Sequence, residues 1–255
     1  MIDSHAHLFL CERDEDELVA GAAEAGVERI LNIGLGRTSN VQAIGAAERH
    51  EIVFAGVGHH PTEAGLFDEA ELEHLVQQAE HPDVLAVGET GLDYYRESAG
   101  AAEQRHAFEA QVELARSLEL PVVIHARDRD GETRAIDDVF EVLDRLADGT
   151  PVVLHCFSAP THAAAAAERG WHCSFAGHTT YPKSEELRAA AAELPEDLLL
   201  VETDSPYLAP QTVRGKPNEP AYVVDTARVV AEARGVSYEE LERTVEANAR
   251  ELFGW

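Results

Sequence analysis

Lysine is almost missing from this chain: Lys183 and Lys216 are the only two in 255 residues. Lysine and arginine together number 20 against 48 aspartates and glutamates, leaving a formal charge of −28. That imbalance excludes a continuous basic groove, so duplex nucleic acid held by exposed phosphate contacts is not expected to bind at low salt. Many acids fall in helix-like stretches, Glu12 to Glu17, Glu63 to Glu73 and Glu239 to Glu246, where they form solvated faces. A cationic partner is one reading of this charge. Adaptation to high salt accounts for it better, because net charge keeps a protein soluble where salt would precipitate it. In molar salt the Debye length is about 3 Å, so the repulsion is screened. The composition therefore reads as that of a halophilic protein.

Cysteine is scarce too. Cys11, Cys156 and Cys173 are odd in number and show no CxxC spacing, which points to reduced thiols rather than a disulfide framework. No stretch approaches the roughly 20 apolar residues that span a bilayer. His5 and His7, followed by an acidic run from Glu12, do not suit a signal peptide. A cytoplasmic protein is expected, with no membrane contact and no obligate protein partner evident. Low-complexity linkers and composition shifts are absent as well, so residues 1–255 are expected to form one domain.

What the chain does have is a series of short apolar runs that stop on metal-type ligands. Ile2-Asp-Ser-His-Ala-His7 opens the series and Val84-Leu-Ala-Val-Gly-Glu89 follows. Pro121-Val-Val-Ile-His125 is nearly repeated as Pro151-Val-Val-Leu-His155, and Leu198-Leu-Leu-Val-Glu-Thr-Asp204 closes it. Bare apolar runs of this length read as strands buried on both faces, the habit of parallel sheets. Strands are expected near residues 2–8, 28–33, 52–58, 84–89, 121–125, 151–156, 172–176 and 198–202. Helical patterns fall between them and again near 237–252. Eight such alternations imply an α/β fold, a single (β/α)8 TIM barrel of the usual size of about 250 residues. Ligands at the carboxyl ends of four or more strands favour closure, since they converge on one mouth. The Pro/Gly-rich segment from Ser205 to Pro220 lies on that same face.

His5 and His7 stand two apart, so both imidazoles lie on one side of a strand beside Asp3. His125 and His155 end matching runs, and each reading strengthens the other. Glu89 and Asp204 leave buried runs, where a carboxylate must be paired or metal-bound. Four histidines with two or three carboxylates exceed what one ion needs and suit a two-metal site. The donor types accept Mg, Mn or Zn, so one or two divalent ions are expected without a choice among them.

These motifs, in order, are Asp3-Ser-His-Ala-His-Leu, Gly88-Glu-Thr-Gly-Leu-Asp-Tyr, Val123-Ile-His, His155-Cys-Phe-Ser and Glu202-Thr-Asp-Ser-Pro-Tyr-Leu-Ala-Pro, with Arg214 and Asn218-Glu-Pro-Ala-Tyr completing them. The chain resembles the TatD family of metal-dependent deoxyribonucleases from residue 2 to about 253. The resemblance implies that His5, His7, Glu89 and Asp204 hold one ion and that Glu89, His125 and His155 hold the other. Glu89 and Asp204 are then the catalytic carboxylates, Asp204 orienting the attacking water and accepting its proton. His60, at the His-Pro position, would face the substrate, together with Asp93, Tyr94 and Arg127. Arg127 would hold a phosphate oxygen; a surface ion pair with Asp128 or Asp130 is the alternative. Tyr94 and Tyr95 would stack on a base or pack under a loop. The doubled His59-His60 leaves two rings for one position, and Ala159-Pro160 stands where the family usually has a glycine. The implied activity is phosphodiester hydrolysis of DNA, from the 3′ end of single strands. Hydrolysis of a small amide or ester on the same barrel is the alternative.

Overall fold

Each apolar run becomes a buried parallel strand. The computed structural model describes residues 1–96 and 98–255. Its sheet has eight parallel strands in sequence order: β1 (Ile2–Ala6), β2 (Arg29–Ile33), β3 (Val53–Val57), β4 (Val84–Asp93), β5 (Val122–Arg127), β6 (Val152–Leu154), β7 (His172–Phe175) and β8 (Leu199–Val201). Nine α-helices are seen among the described residues: α1 (Glu15–Glu24), α2 (Arg37–Arg49), α3 (Glu69–Ala79), α4 (Ala101–Leu118), α5 (Arg134–Leu146), α6 (Ala163–Glu168), α7 (Glu185–Glu193), α8 (Val223–Arg234) and α9 (Tyr238–Phe253). Carboxyl and hydroxyl caps start several of them. Asp14 accepts the Asp16 amide at 3.0 Å, Asp68 that of Glu71 at 2.9 Å, and Ser237 that of Glu240 at 3.1 Å.

The repeated Pro-Val-Val runs lie side by side. Val122 pairs with Val152, Val123 with Val153 and Ile124 with Leu154, and all six are buried. This register brings His125 and His155 to adjacent strand ends, with ring centroids 5.7 Å apart. The barrel closes between β8 and β1 without a regular ladder. The Asp204 amide donates to the His5 carbonyl at 2.9 Å, and the His7 amide donates to that of Ser205 at 2.9 Å. Ser4 Oγ adds a bond to the Val201 carbonyl at 3.0 Å.

One strand departs further than the others from the expected limits; β1, β6 and β8 are shorter by two or three residues. β4 does not stop at Glu89 but runs on to Asp93, and its pairing with β5 shifts register between Val87 and Thr90. Two glycines allow this close passage. A Cβ on Gly88 would lie 2.6 Å from the Val123 carbonyl oxygen, and one on Gly91 would lie 2.0 Å from that of His125. Both have positive φ, 154° and 137°, which any larger residue would resist. Glu89 therefore sits at an irregularity inside the strand rather than at its end.

Candidate metal centre

Glu89 is 3% exposed and lies among five imidazoles that its two oxygens divide between them. Oε2 faces His5 Nε2 and His7 Nε2, each at 3.4 Å. Oε1 faces His125 Nδ1 at 2.6 Å, His155 Nε2 at 2.9 Å and His60 Nε2 at 3.4 Å. Asp204 Oδ1 stands 3.6 Å from His7 Nε2, on the same side as Oε2. All seven residues border one cavity of about 490 Å³ at the carboxyl ends of the strands, apart from His5, which lies beneath it. Three non-glycine residues on its wall, Cys156, Asp204 and Leu208, take positive φ of 45°, 55° and 53°. That conformation costs about 1–2 kcal/mol per residue, and such strain collects where side chains must be aimed.

A further layer fixes the rings. Asp93 Oδ2 meets His125 Nε2 at 3.2 Å, which leaves Nδ1 turned to Glu89. Its other oxygen accepts the amides of Tyr95 and Arg96 at 3.0 and 2.8 Å. Asp93, expected at the substrate, is thus placed behind His125. Two glutamines on the inner face of α4 clamp the backbone of this layer. Gln104 accepts from the Asp93 amide at 2.8 Å and donates to its carbonyl at 3.0 Å; Gln111 does the same for His59 at 2.7 and 3.0 Å. Neither glutamine stands out in the sequence, because a polar residue on a helix reads as solvated until its face is known. The sequence likewise assigns no role to Glu202: it is fully buried behind His155, with Oε1 at 3.3 Å from Nδ1. Its position next to Thr203-Asp204, in a run of apolar residues, was the available signal.

The doubled histidines separate cleanly. His59 turns away, its Nε2–H donating to the Glu63 carbonyl at 2.9 Å and its ring lying against Phe67. His60 Nδ1 accepts from the Thr62 amide at 3.2 Å, so its proton is on Nε2, which points to Glu89. Burial lowers its pKa, and a neutral His60 is a donor into the cavity rather than a charge. Arg127 lines the same cavity and stacks on Tyr95 with its guanidinium carbon 4.3 Å from the ring centre. Asp128 does not pair with it; that carboxylate accepts the Ala135 and Ile136 amides at 2.7 and 3.2 Å, at the start of α5. Tyr94 is turned out of the cavity: its hydroxyl donates to Asp138 at 2.8 Å and Arg134 covers its ring at 4.8 Å. Pro160 opens a short turn, Pro160–His162.

The electrostatics ask for positive charge at the centre. Burial opposes ionisation of Glu89, yet His155, His60 and His125 pull its pKa well below the carboxylate range. Burial likewise opposes the proton on His7, but Asp204 and Glu89 raise its pKa to about 10. Meanwhile His5 Nε2 and His7 Nε2 face each other at 3.2 Å, a distance at which two lone pairs repel unless a proton or cation lies between them. Ligand atoms of His5, His7 and Glu89 fall within 4.8 Å of one another, as do those of His60, Glu89 and His125. Imidazole nitrogens and carboxylate oxygens around a shared Glu89 are the donor set that divalent ions take, so the residues present fit the metals.

A parallel barrel with such a His/carboxylate cluster at the carboxyl ends of its strands defines a metal-dependent hydrolase. The family model for TatD related DNase matches residues 2–254. The chain is 38% identical to the uncharacterized metal-dependent hydrolase TatD of Mycobacterium tuberculosis, over 100% of this chain and 98% of that one. It is 36% identical to the 3′-5′ ssDNA/RNA exonuclease TatD of Cronobacter sakazakii, over 95% and 92%. The crystal structure of the TatD homologue YJJV from Escherichia coli superposes with a TM-score of 0.92 at 29% identity, covering 100% of this chain and 98% of that one. The chain belongs to the TatD family of metal-dependent hydrolases. Among the described residues no helix is long and apolar enough to cross a membrane.

Proposed function

We propose that this protein is a divalent-metal-dependent phosphodiesterase that shortens single-stranded nucleic acid, DNA above all, from the 3′ end. The observation that carries the reading is the division of five imidazoles between the two oxygens of Glu89, beside two guanidinium groups in the same cavity. Among the described residues neither Arg96 nor Arg127 is paired with an acid, unlike Arg13, Arg37, Arg49 and Arg169. Two such groups suit the oxygens of a phosphate better than a neutral carbonyl substrate. The name carried by the Cronobacter relative supports the same substrate class.

His5, His7, Glu89 and Asp204 would hold one ion, and Glu89, His125 and His155 the other. When bound, the ions supply a water acidic enough to act near neutral pH and positive charge for the phosphate oxygens. The protein's own groups do the remaining work. Asp204, whose backbone N–H donates a hydrogen bond to the His5 carbonyl, accepts the proton from the attacking water. His60 donates through Nε2–H to a phosphate oxygen, and its neutral state leaves the local charge unchanged. Arg127, flattened on Tyr95, and Arg96 hold the phosphate and exclude water from one side. Free 3′ ends fit a partly open cavity of this size, whereas a duplex would need the basic surface that the chain lacks.

The test is hydrolysis of a 5′-labelled single-stranded oligonucleotide in molar KCl with Mg²⁺ or Mn²⁺. Labelled products shortening progressively, with Glu89→Ala slower by at least about 10²-fold, are expected. Intact oligonucleotide in the presence of bound metal would transfer the reading to an amide or ester substrate.

A further inference from the structure

Glu202 has one oxygen accounted for and one free. Oε1 accepts the Cys156 amide at 2.7 Å and lies 3.3 Å from His155 Nδ1. Oε2 is buried and has no hydrogen-bond partner. His5 Nδ1 is buried and unpartnered as well, and His5 is fully enclosed. The two rings concerned are stacked, His5 on His155, with centroids 3.9 Å apart and planes within 13°. One ligand atom from each of His5, His155 and Glu202 lies within 4.8 Å of the others.

The orphaned atoms are complementary. In both histidines Nε2 is directed at Glu89, one at Oε2 and the other at Oε1. A neutral imidazole that presents a lone pair on Nε2 must carry its proton on Nδ1. On His155 that proton meets Glu202 Oε1. On His5 it has a candidate acceptor in the unpartnered Glu202 oxygen, directly or through one water. A buried N–H and a buried carboxylate oxygen each left without a partner would cost about 1–3 kcal/mol apiece. A cation held on the Nδ1 side instead would force the protons onto Nε2 and turn both rings' donors against the main site.

We infer that Glu202 is a shared positioning residue: one carboxylate fixes the Nδ1–H tautomer of His5 and of His155, and so aims one ligand nitrogen at each half of the metal centre. This rests on the proposed ligand sets but goes beyond them, because it couples the two ion positions through a group that touches neither. Cys156 takes part through its backbone. Its positive φ of 45° turns its amide onto Glu202 and pins the carboxylate in register with both rings.

The test is a titration of metal-free protein with Mn²⁺, wild type beside Glu202→Gln. The amide keeps the volume and an acceptor for His155 but cannot serve His5 as well. Weakening of the step that uses His5 by roughly 10–100-fold is expected, the usual effect of removing a ligand's supporting partner, with the step that uses His155 changed much less; Glu202→Met, which removes both acceptors, should weaken both steps while the metal-free protein still unfolds cooperatively. Equal affinities in wild type and both variants overturn the inference, and so does weakening of only one step in Glu202→Met. Wild type that binds no Mn²⁺ overturns the ligand assignment itself. A second measurement needs no variant: long-range ¹H–¹⁵N spectra of the Zn²⁺-loaded wild type should show protonated Nδ1 on His5 and His155. A proton on Nε2 of either would sink the proposal.

Discussion

Asp3 and Thr203 join the first strand to the segment leaving the last. The Thr203 hydroxyl donates to Asp3 Oδ2 at 2.6 Å and its amide to Oδ1 at 2.8 Å, and the His5 amide reaches the same Oδ1 at 3.3 Å. Both residues are buried. His5 lies two residues beyond Asp3 and Asp204 directly follows Thr203, so this pair sets the distance between ligands drawn from opposite ends of the chain.

Removing that carboxylate takes the acceptor from three buried donors. Asp3→Ala should destabilise the protein by roughly 2–4 kcal/mol, read from the urea midpoint. Asp3→Asn keeps one acceptor and should lose less. An unchanged midpoint in Asp3→Ala would show that the seam between β8 and β1 holds without this pair.

Arg127 acts by geometry as well as charge. Arg127→Ala should raise KM for a single-stranded oligonucleotide about tenfold, the loss of roughly 1.4 kcal/mol of binding, with kcat changed much less. Arg127→Lys should recover little, because an ammonium cannot both lie flat on Tyr95 and meet two phosphate oxygens. Full recovery by lysine would reduce the role to simple charge.

Net charge makes the fold salt-dependent. Only part of the acidic surface is paired, as Glu15 is with Arg49 and Asp144 with Arg169. The Debye length falls from about 10 Å at 0.1 M to about 3 Å at 1 M. Tm should therefore rise over that interval in KCl. A flat or falling Tm would mean that self-repulsion among the 48 acids does not limit stability.

His172, at the start of β7, lies outside the metal cluster. Burial lowers its pKa below the ordinary 6.5. Below pH 6.5 the unfolded chain takes up a proton that the folded protein refuses, so stability should fall as the pH drops through that range. His172→Gln should flatten the slope of Tm against pH below 6.5. An identical slope in the variant would place the acid sensitivity elsewhere.

The barrel was legible because each strand of a parallel sheet is buried on both faces. Val122-Val-Ile and Val152-Val-Leu could not be mistaken for half-solvated elements, and a histidine ending each run marked the mouth. The limits of β4 were not legible. Whether a strand continues past Gly88 depends on how near β5 passes, and no local pattern records that distance. Asp93 stood in a readable motif, yet its partner is a ring nitrogen 32 residues away. The same holds for Tyr94, whose hydroxyl finds Asp138 on α5 rather than the cavity.

By itself the sequence determined which residue types collect at one end of a barrel: alternation, apolar runs and their terminal ligands are properties of the chain read in order. The tertiary structure alone decided which atom of each ligand faces inward. A histidine has two nitrogens and a carboxylate two oxygens, and the choice follows from whatever lies on the far side of the ring. For His125 that is Asp93, for His60 it is Thr62, and for His155 it is Glu202. Asp93 and Glu202 come from other parts of the chain, so only folding brings them into hydrogen-bond range.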